Sequence, residues 1–352
     1  MLRSLALCLG IVLVVASSCS SSIPTASIDP GIESGDTVSA LATAQELLGE
    51  RFRVAFIADT HIIDESSYEC CENSPRDTES IYLTAERLEQ ARAQINEINP
   101  PPDFVILLGD VFHDGYLPGA PEDLNAYRGR STSMGRAAQI LQGFNMPVYP
   151  LWGNHDYDVP AVSQEFSHQI FKEFFNADPY YSIDHKGWKF ILANSELGPT
   201  WDPESSLYNK GLASYGSAQL QWIWRELAED KPSVLLFHYP LLHEVTARRE
   251  NPQGFPQDLP ELVRAYGGSN LKLTLTGHVH HWLNFLNLFQ VPHFVIGATR
   301  YDENNFWLVE FNRLGTYRIL DARKAIWGSV YSRPWTYNGH PRPAAFSASA
   351  LE

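Results

Sequence analysis

Five apolar runs in this chain stop abruptly in polar clusters. RFRVAFI runs into ADTH (58–61), DFVILL into GDVFHD (109–114), MPVYPLW into GNHD (153–156), PSVLL into FHYP (237–240) and NLKLTLT into GHVHH (277–281). Apolar runs this short read as buried strands. Stretches with helical periodicity lie between them, at 79–99, 163–175 and in SMGRAAQILQGF and SAQLQWIWRELAED. Strands alternating with helices imply a central sheet covered by helices. In such a sheet, ligands bind in the loops beyond the strand ends. The five endings therefore predict one dense cluster of Asp, Asn and His.

The rest of the chain fits a single large core, since 352 residues with 44% apolar content can bury one. YYSIDHKGWKFILANS reads as two strands joined at Lys186-Gly187, and HWLNFLNL, VPHFVIGAT, NFWLVEFN and TYRILDA make the later half β-rich. On SAQLQWIWRELAED, the residues Leu220, Ile223, Trp224 and Leu227 share a face. Trp222 and Trp224 are therefore expected in the core. A net charge of −15 argues against a chain whose task is gripping a nucleic-acid backbone.

The N-terminus MLRSLALCLGIVLVVASSCSSS has an early Arg, an apolar run of secretory length and then small residues, so 1–18 is expected to be an export signal. Its end resembles a bacterial lipoprotein signal with Cys19 as the lipidated residue, although Ala16 stands where Leu is usual, so cleavage without lipid stays open. Residues 19–50 are expected to form a flexible Ser-rich tether, 51–326 the one large folded domain, and 327–352 a partly disordered tail. The expected location is extracytoplasmic, with membrane association through the lipid if Cys19 is modified. Cys70 and Cys71 are adjacent, which strains a disulfide between them and favours free or intermolecular thiols.

Asp59, His61, Asp110, Asn154, His238, His278 and His280 offer the oxygen and nitrogen donors that divalent ions use. One cation cannot take seven such ligands with normal geometry, whereas two ions sharing a carboxylate can. An extended chain would point His278 and His280 to one side and His281 to the other.

These residues and their order resemble the calcineurin-like metallophosphoesterase superfamily. Its blocks stand here as Asp59-x-His61, Gly109-Asp110, Gly153-Asn154-His155-Asp156, His238 and Gly277-His278-x-His280. The resemblance implies an α/β fold, a four-layer αββα sandwich of two mixed β-sheets flanked by helices. It implies that one metal is held by Asp59, His61 and His280, the other by Asn154, His238 and His278, and that Asp110 bridges them. It also implies that water activated by the metals attacks a phosphodiester or phosphomonoester. His155 would contact the phosphate and protonate the leaving oxygen, and Asp156 would orient its imidazole. The metals would be Fe, Mn or Zn, and the partner a small phosphate ester. No protein partner is expected.

Purple acid phosphatases carry Tyr three residues after the bridging Asp, where this chain has His113, so an iron-tyrosinate centre is not expected. GNHD is similar to the cyclic-nucleotide phosphodiesterase branch, which places phosphodiesters slightly ahead of phosphomonoesters. His113 is a candidate substrate contact or a loop cap. His243, Arg248 and Arg249 are candidate substrate-binding residues, with solvated loop charges as the alternative. A function of another class is a catalytically silent, metal-stabilised surface or binding protein on the same fold. Its expected mark is loss of His155 or of a ligand, and all are present.

Overall fold

The computed structural model describes residues 50–64, 68, 75–113, 115–129, 131–241, 258–288 and 290–320. The signal at 1–18, Cys19, the tether up to residue 49, Cys70, Cys71, His243, Arg248, Arg249 and the tail at 327–352 lie outside the described residues.

Eleven strands form two mixed sheets among the described residues. The first has the order β11 (Tyr317–Ile319), β10 (Phe306–Asn312), β1 (Arg51–Ile57), β2 (Phe104–Leu108), β3 (Val148–Leu151). The second runs β4 (Tyr181–His185), β5 (Trp188–Leu192), β6 (Ser233–Leu236), β7 (Leu271–Thr276), β9 (Val291–Val295), β8 (Leu283–Leu288). Strands β1, β2 and β3 are parallel to one another, as are β5, β6, β7 and β9, while β10, β11, β4 and β8 pair antiparallel at or near the edges.

Period-2 alternation sorts each central strand between two cores. Val54 and Phe56 of β1, and Phe104, Ile106 and Leu108 of β2, face Trp188, Phe190, Leu192, Val234, Leu236, Leu273 and Leu275 of the second sheet. Ala55, Ile57, Val105 and Leu107 point the other way, onto the helices α2 (Thr84–Asn96), α3 (Ser133–Leu141) and α4 (Gln164–Phe175). The far face of the second sheet packs Ile191 and Leu235 against α5 (Ser217–Ala228) and α6 (Asp258–Tyr266). The layers are thus helix, sheet, sheet, helix, the sandwich that the resemblance implied.

Local chemistry explains the element ends. The Thr132 hydroxyl caps α3 by accepting from the Gly135 amide at 3.1 Å, and the Ser163 hydroxyl caps α4 by accepting from Phe166 at 3.2 Å. Lys186 and Gly187 both take positive φ, which suits the two-residue turn joining β4 to β5.

Two expectations differ from the structure, and one helix is added. The stretch 79–99 is not one helix, because α1 (Pro75–Ile81) ends before α2 begins. The buried Arg300 guanidinium donates to the Ser80 hydroxyl and the Asp77 carbonyl, and Arg87 donates to the Ser80 carbonyl. Of these groups, the Ser80 carbonyl is the one that a continuous helix would give to the Thr84 amide. Trp224 is 44% exposed, its indole N–H donating to the Glu261 carbonyl of α6, while Leu220, Ile223 and Leu227 are buried. Helix α6 is the addition. Its nine residues contain Pro260 and run into Gly267-Gly268, which hides its periodicity.

Candidate metal centre

The C-terminal ends of β1, β2 and β3 from one sheet meet those of β6 and β7 from the other. Backbone bonds lock the ends together. The Asp59 amide donates to Gly109, His61 to Asp110, Gly277 to His238, and Arg300 to Asp59, all at 2.9–3.2 Å. All seven expected ligands are brought into this one place.

They divide into two sets. His61 Nε2 lies 2.9 Å from His280 Nε2, and His280 Nε2 is 3.5 Å from Asp59 Oδ1. Asn154 Oδ1 lies 3.2 Å from His238 Nε2 and 3.0 Å from His278 Nδ1. Asp110 Oδ2 faces both, at 3.5 Å from His61 Nε2 and 3.1 Å from His238 Nε2. Its other oxygen accepts the His155 amide at 2.9 Å.

Five of the seven, Asp59, His61, Asp110, His278 and His280, have φ between 49° and 72°. Side-chain-bearing residues adopt this left-handed region at a cost, and such strain collects at functional sites. His278 and His280 therefore converge through two sharp bends and not through the extended alternation expected of GHVHH. His278 reaches Asn154 while His280 reaches His61. Glycine is required nearby for the same crowding. A Cβ on Gly109, at φ +79°, would sit 2.6 Å from His238 Nδ1, and one on Gly153 would sit 2.3 Å from both Asp110 N and Oδ1.

The donors fit two divalent ions. Asp59 Oδ2 is a buried carboxylate oxygen with no hydrogen-bond donor among the described residues. Leaving such an oxygen uncompensated is costly, so it fits a cation's partner. Burial, followed by neighbouring His155 and His280, pushes the His61 imidazole well below its usual value, which leaves a lone pair to give. Burial opposes a proton on His238, yet Asp110 and then Asp59 hold its value up to about 10. The same carboxylates that favour positive charge there favour a metal ion. His238 Nδ1 donates to the Leu108 carbonyl at 2.8 Å, which aims Nε2 into the site.

His155 stands beside the centre, half-buried, its ring stacked on His113 at 4.2 Å with 23° between planes. Asp156 does not take the place expected of it. Its Oδ1 accepts the Val111 and Phe112 amides at 2.9 and 3.3 Å, and its Oδ2 accepts the Gly153 amide at 2.8 Å. Burial and then Asp110 push its carboxyl well above the usual range. Asp156 thus ties the loop after β2 to the loop after β3, and reaches His155 only through the backbone it holds.

His113 is 7% exposed and packs inside the site, beside His61 and His155. Sequence reasoning missed Tyr239, whose ring lies 4.0 Å from that of His278, and Tyr301, 5.5 Å from His280. Position alone, next to a ligand, signalled the first, and nothing local signalled the second. His168, His185 and His293 stand apart from the centre, bonded to Tyr157, Asp103 and Thr274 respectively.

The comparisons with known proteins agree with this geometry. A model of the calcineurin-like phosphoesterase family matches residues 52–282. Two relatives, each named serine/threonine-protein phosphatase CPPED1, come from Danio rerio and Mus musculus. The first is 25% identical over 213 residues, covering 57% of this chain and 60% of its own length. The second is 24% identical over 201 residues, covering 54% and 58%. The chain thus spans about 60% of the length of the curated relatives it matches. A solved dimetal phosphatase from Danio rerio has a similar fold, with a TM-score of 0.50 at 15% identity over 76% of this chain and 98% of that one. With the family model spanning every block from Asp59 to His280, the chain belongs to the calcineurin-like phosphoesterase family.

Proposed function

We propose that this protein is a two-metal phosphoester hydrolase with phosphodiesters as its preferred substrates. The observation that carries the proposal is Asp110 Oδ2, placed within 3.5 Å of ligand nitrogens from both sets. Two divalent ions bound there would neutralise phosphoryl charge and lower the pKa of water. Asp59, His61 and His280 would hold one, Asn154, His238 and His278 the other, and Asp110 both.

The protein's own groups do the rest. His155 is fixed through its amide on Asp110 and through its ring on His113, so its imidazole is positioned to donate a proton to the departing oxygen. Asp156 holds the two loops that carry Asp110 and Asn154 in register. The GNHD block supports the diester preference. The name shared by the curated relatives supports a second reading, a phosphomonoesterase acting on phosphoserine or phosphothreonine. We further propose that the enzyme works outside the cytoplasm, tethered through a lipid on Cys19, which the residues before Cys19 support.

Hydrolysis of bis-p-nitrophenyl phosphate beside p-nitrophenyl phosphate tests the reading. Metal-dependent turnover, faster on the diester and lost in Asp110→Asn, is the expected result. Faster monoester turnover would favour the second reading, and two intact esters with metals bound would favour the silent binding protein.

A further inference from the structure

His113, like His155, is an imidazole at the centre that the ligand sets do not use, and its surroundings are built. Its amide donates to the Ile62 carbonyl at 2.9 Å, and Phe112 pairs with Ile62 in a short parallel bridge, so its backbone is held on the loop carrying His61. Its Nδ1 lies 3.0 Å from His61 Nδ1. One face of its ring stacks on His155 at 4.2 Å, and the Tyr68 ring stands at 5.9 Å.

A metal-binding histidine gives one nitrogen to the ion and donates the other N–H to an acceptor, which fixes its tautomer and orientation. His238 meets this requirement through the Leu108 carbonyl. For His61, whose Nε2 faces His280 and Asp110, the acceptor within 3.0 Å is His113 Nδ1. We infer that His113 is a positioning residue, its Nδ1 accepting the His61 N–H so that Nε2 points at the first metal, and its ring setting the plane of His155. The inference rests on the two-metal reading above.

The nitrogens of His61, His113 and His155 also lie close enough together to hold an ion of their own. An ion there would draw on His61 Nδ1 while Nε2 serves the first metal, which requires a doubly deprotonated ring. The hydrogen-bonded arrangement needs no such step, and it is the one we adopt.

Two variants separate the roles. His113→Asn keeps an acceptor near the place of Nδ1 and removes the ring, while His113→Phe keeps a ring and removes the acceptor. Metal affinity is read by chelator competition with Mn, stoichiometry by elemental analysis, and folding by thermal melting of the chelated proteins. His113→Phe is expected to weaken one of the two ions about 10–100-fold. His113→Asn is expected to hold both ions as the wild type does, yet to turn over with reduced kcat and unchanged KM. The inference is overturned if His113→Phe keeps both affinities, if His113→Asn loses metal as His113→Phe does, or if the wild type binds three ions and His113→Phe two. A wild type that binds no ion would instead overturn the two-metal reading itself, so the two failures are distinguishable. If His113→Phe melts as an unfolded chain, the Asn variant's affinity and kcat decide alone.

Discussion

Asp59, His61, Asp110, His278 and His280 each carry a side chain on left-handed backbone, at roughly 1–2 kcal/mol apiece relative to ordinary geometry. The surrounding backbone bonds hold them there, and the bends aim ligand atoms from two sheets at one point. Relief of that strain should be visible once metal is removed. His280→Gly, at φ 59° and with its side chain 21% exposed, is expected to melt no lower than wild type in chelator and clearly lower than wild type with Mn present. A lower melting point in chelator would show that the His280 contacts outweigh the backbone strain. His155 makes a second, separate prediction. His155→Ala should leave both ions bound and cut kcat about 10²–10⁴-fold on an alkyl ester, with a smaller loss on p-nitrophenyl esters, whose leaving group needs little protonation. Equal losses on both would remove His155 from proton donation.

At the scale of elements, β1 and β10 are joined away from the site by Glu310, which is 8% exposed and accepts from Arg51, Arg53 and Arg318 at 2.9–3.3 Å. Burial works against its charge, but the Arg51 and Arg53 hydrogen bonds prevail and hold the carboxyl below its usual value. A carboxyl lowered on folding stabilises the protein above its unfolded pKa, and that contribution is lost as pH falls through the folded value. Glu310→Gln should therefore cost about 1 kcal/mol at pH 7, and the difference from wild type should shrink below about pH 4, as denaturant melts across pH would show. A gap that stays constant with pH would mean the arginines contribute packing and not charge.

The same scale shows what could be read from the chain beforehand. Strands β1, β2, β3, β6 and β7 were legible because each is an apolar run leading into a ligand, and Gly109-Asp110 or Gly277-His278 marks the stop. The left-handed turns that make His278 and His280 converge were not, since φ at those residues is set by bonds such as His278 N to Asp59 Oδ1 at 2.9 Å, made across 219 residues. The break between α1 and α2 depends in the same way on Arg300, and the exposure of Trp224 on where α6 lies. Asp156 was placed near His155 correctly in sequence, but its partners are amides that only the folded loops bring to it.

For the molecule as a whole, two sheets with a shared aromatic core hold the two ligand sets in fixed register. In that core Phe311 stacks on Phe52 at 5.2 Å and meets Trp188 and Phe190 edge-on at 4.7 and 5.3 Å, and the Trp188 N–H is satisfied by the Asn312 carbonyl at 2.7 Å. Asp59, Asp110 and Asn154 come from one sheet, His238, His278 and His280 from the other, so bound ions would link the halves of the sandwich. An acidic chain, at −15, also favours divalent cations near its surface. The central claim is that turnover depends on two ions in this centre. The direct test is to strip the protein with chelator, add Mn in measured equivalents, and follow bis-p-nitrophenyl phosphate hydrolysis in wild type and Asp110→Asn. Activity rising from zero to a plateau at two equivalents, with Asp110→Asn flat throughout, is the predicted result. Turnover by the stripped protein, or a plateau that Asp110→Asn also reaches, would contradict it.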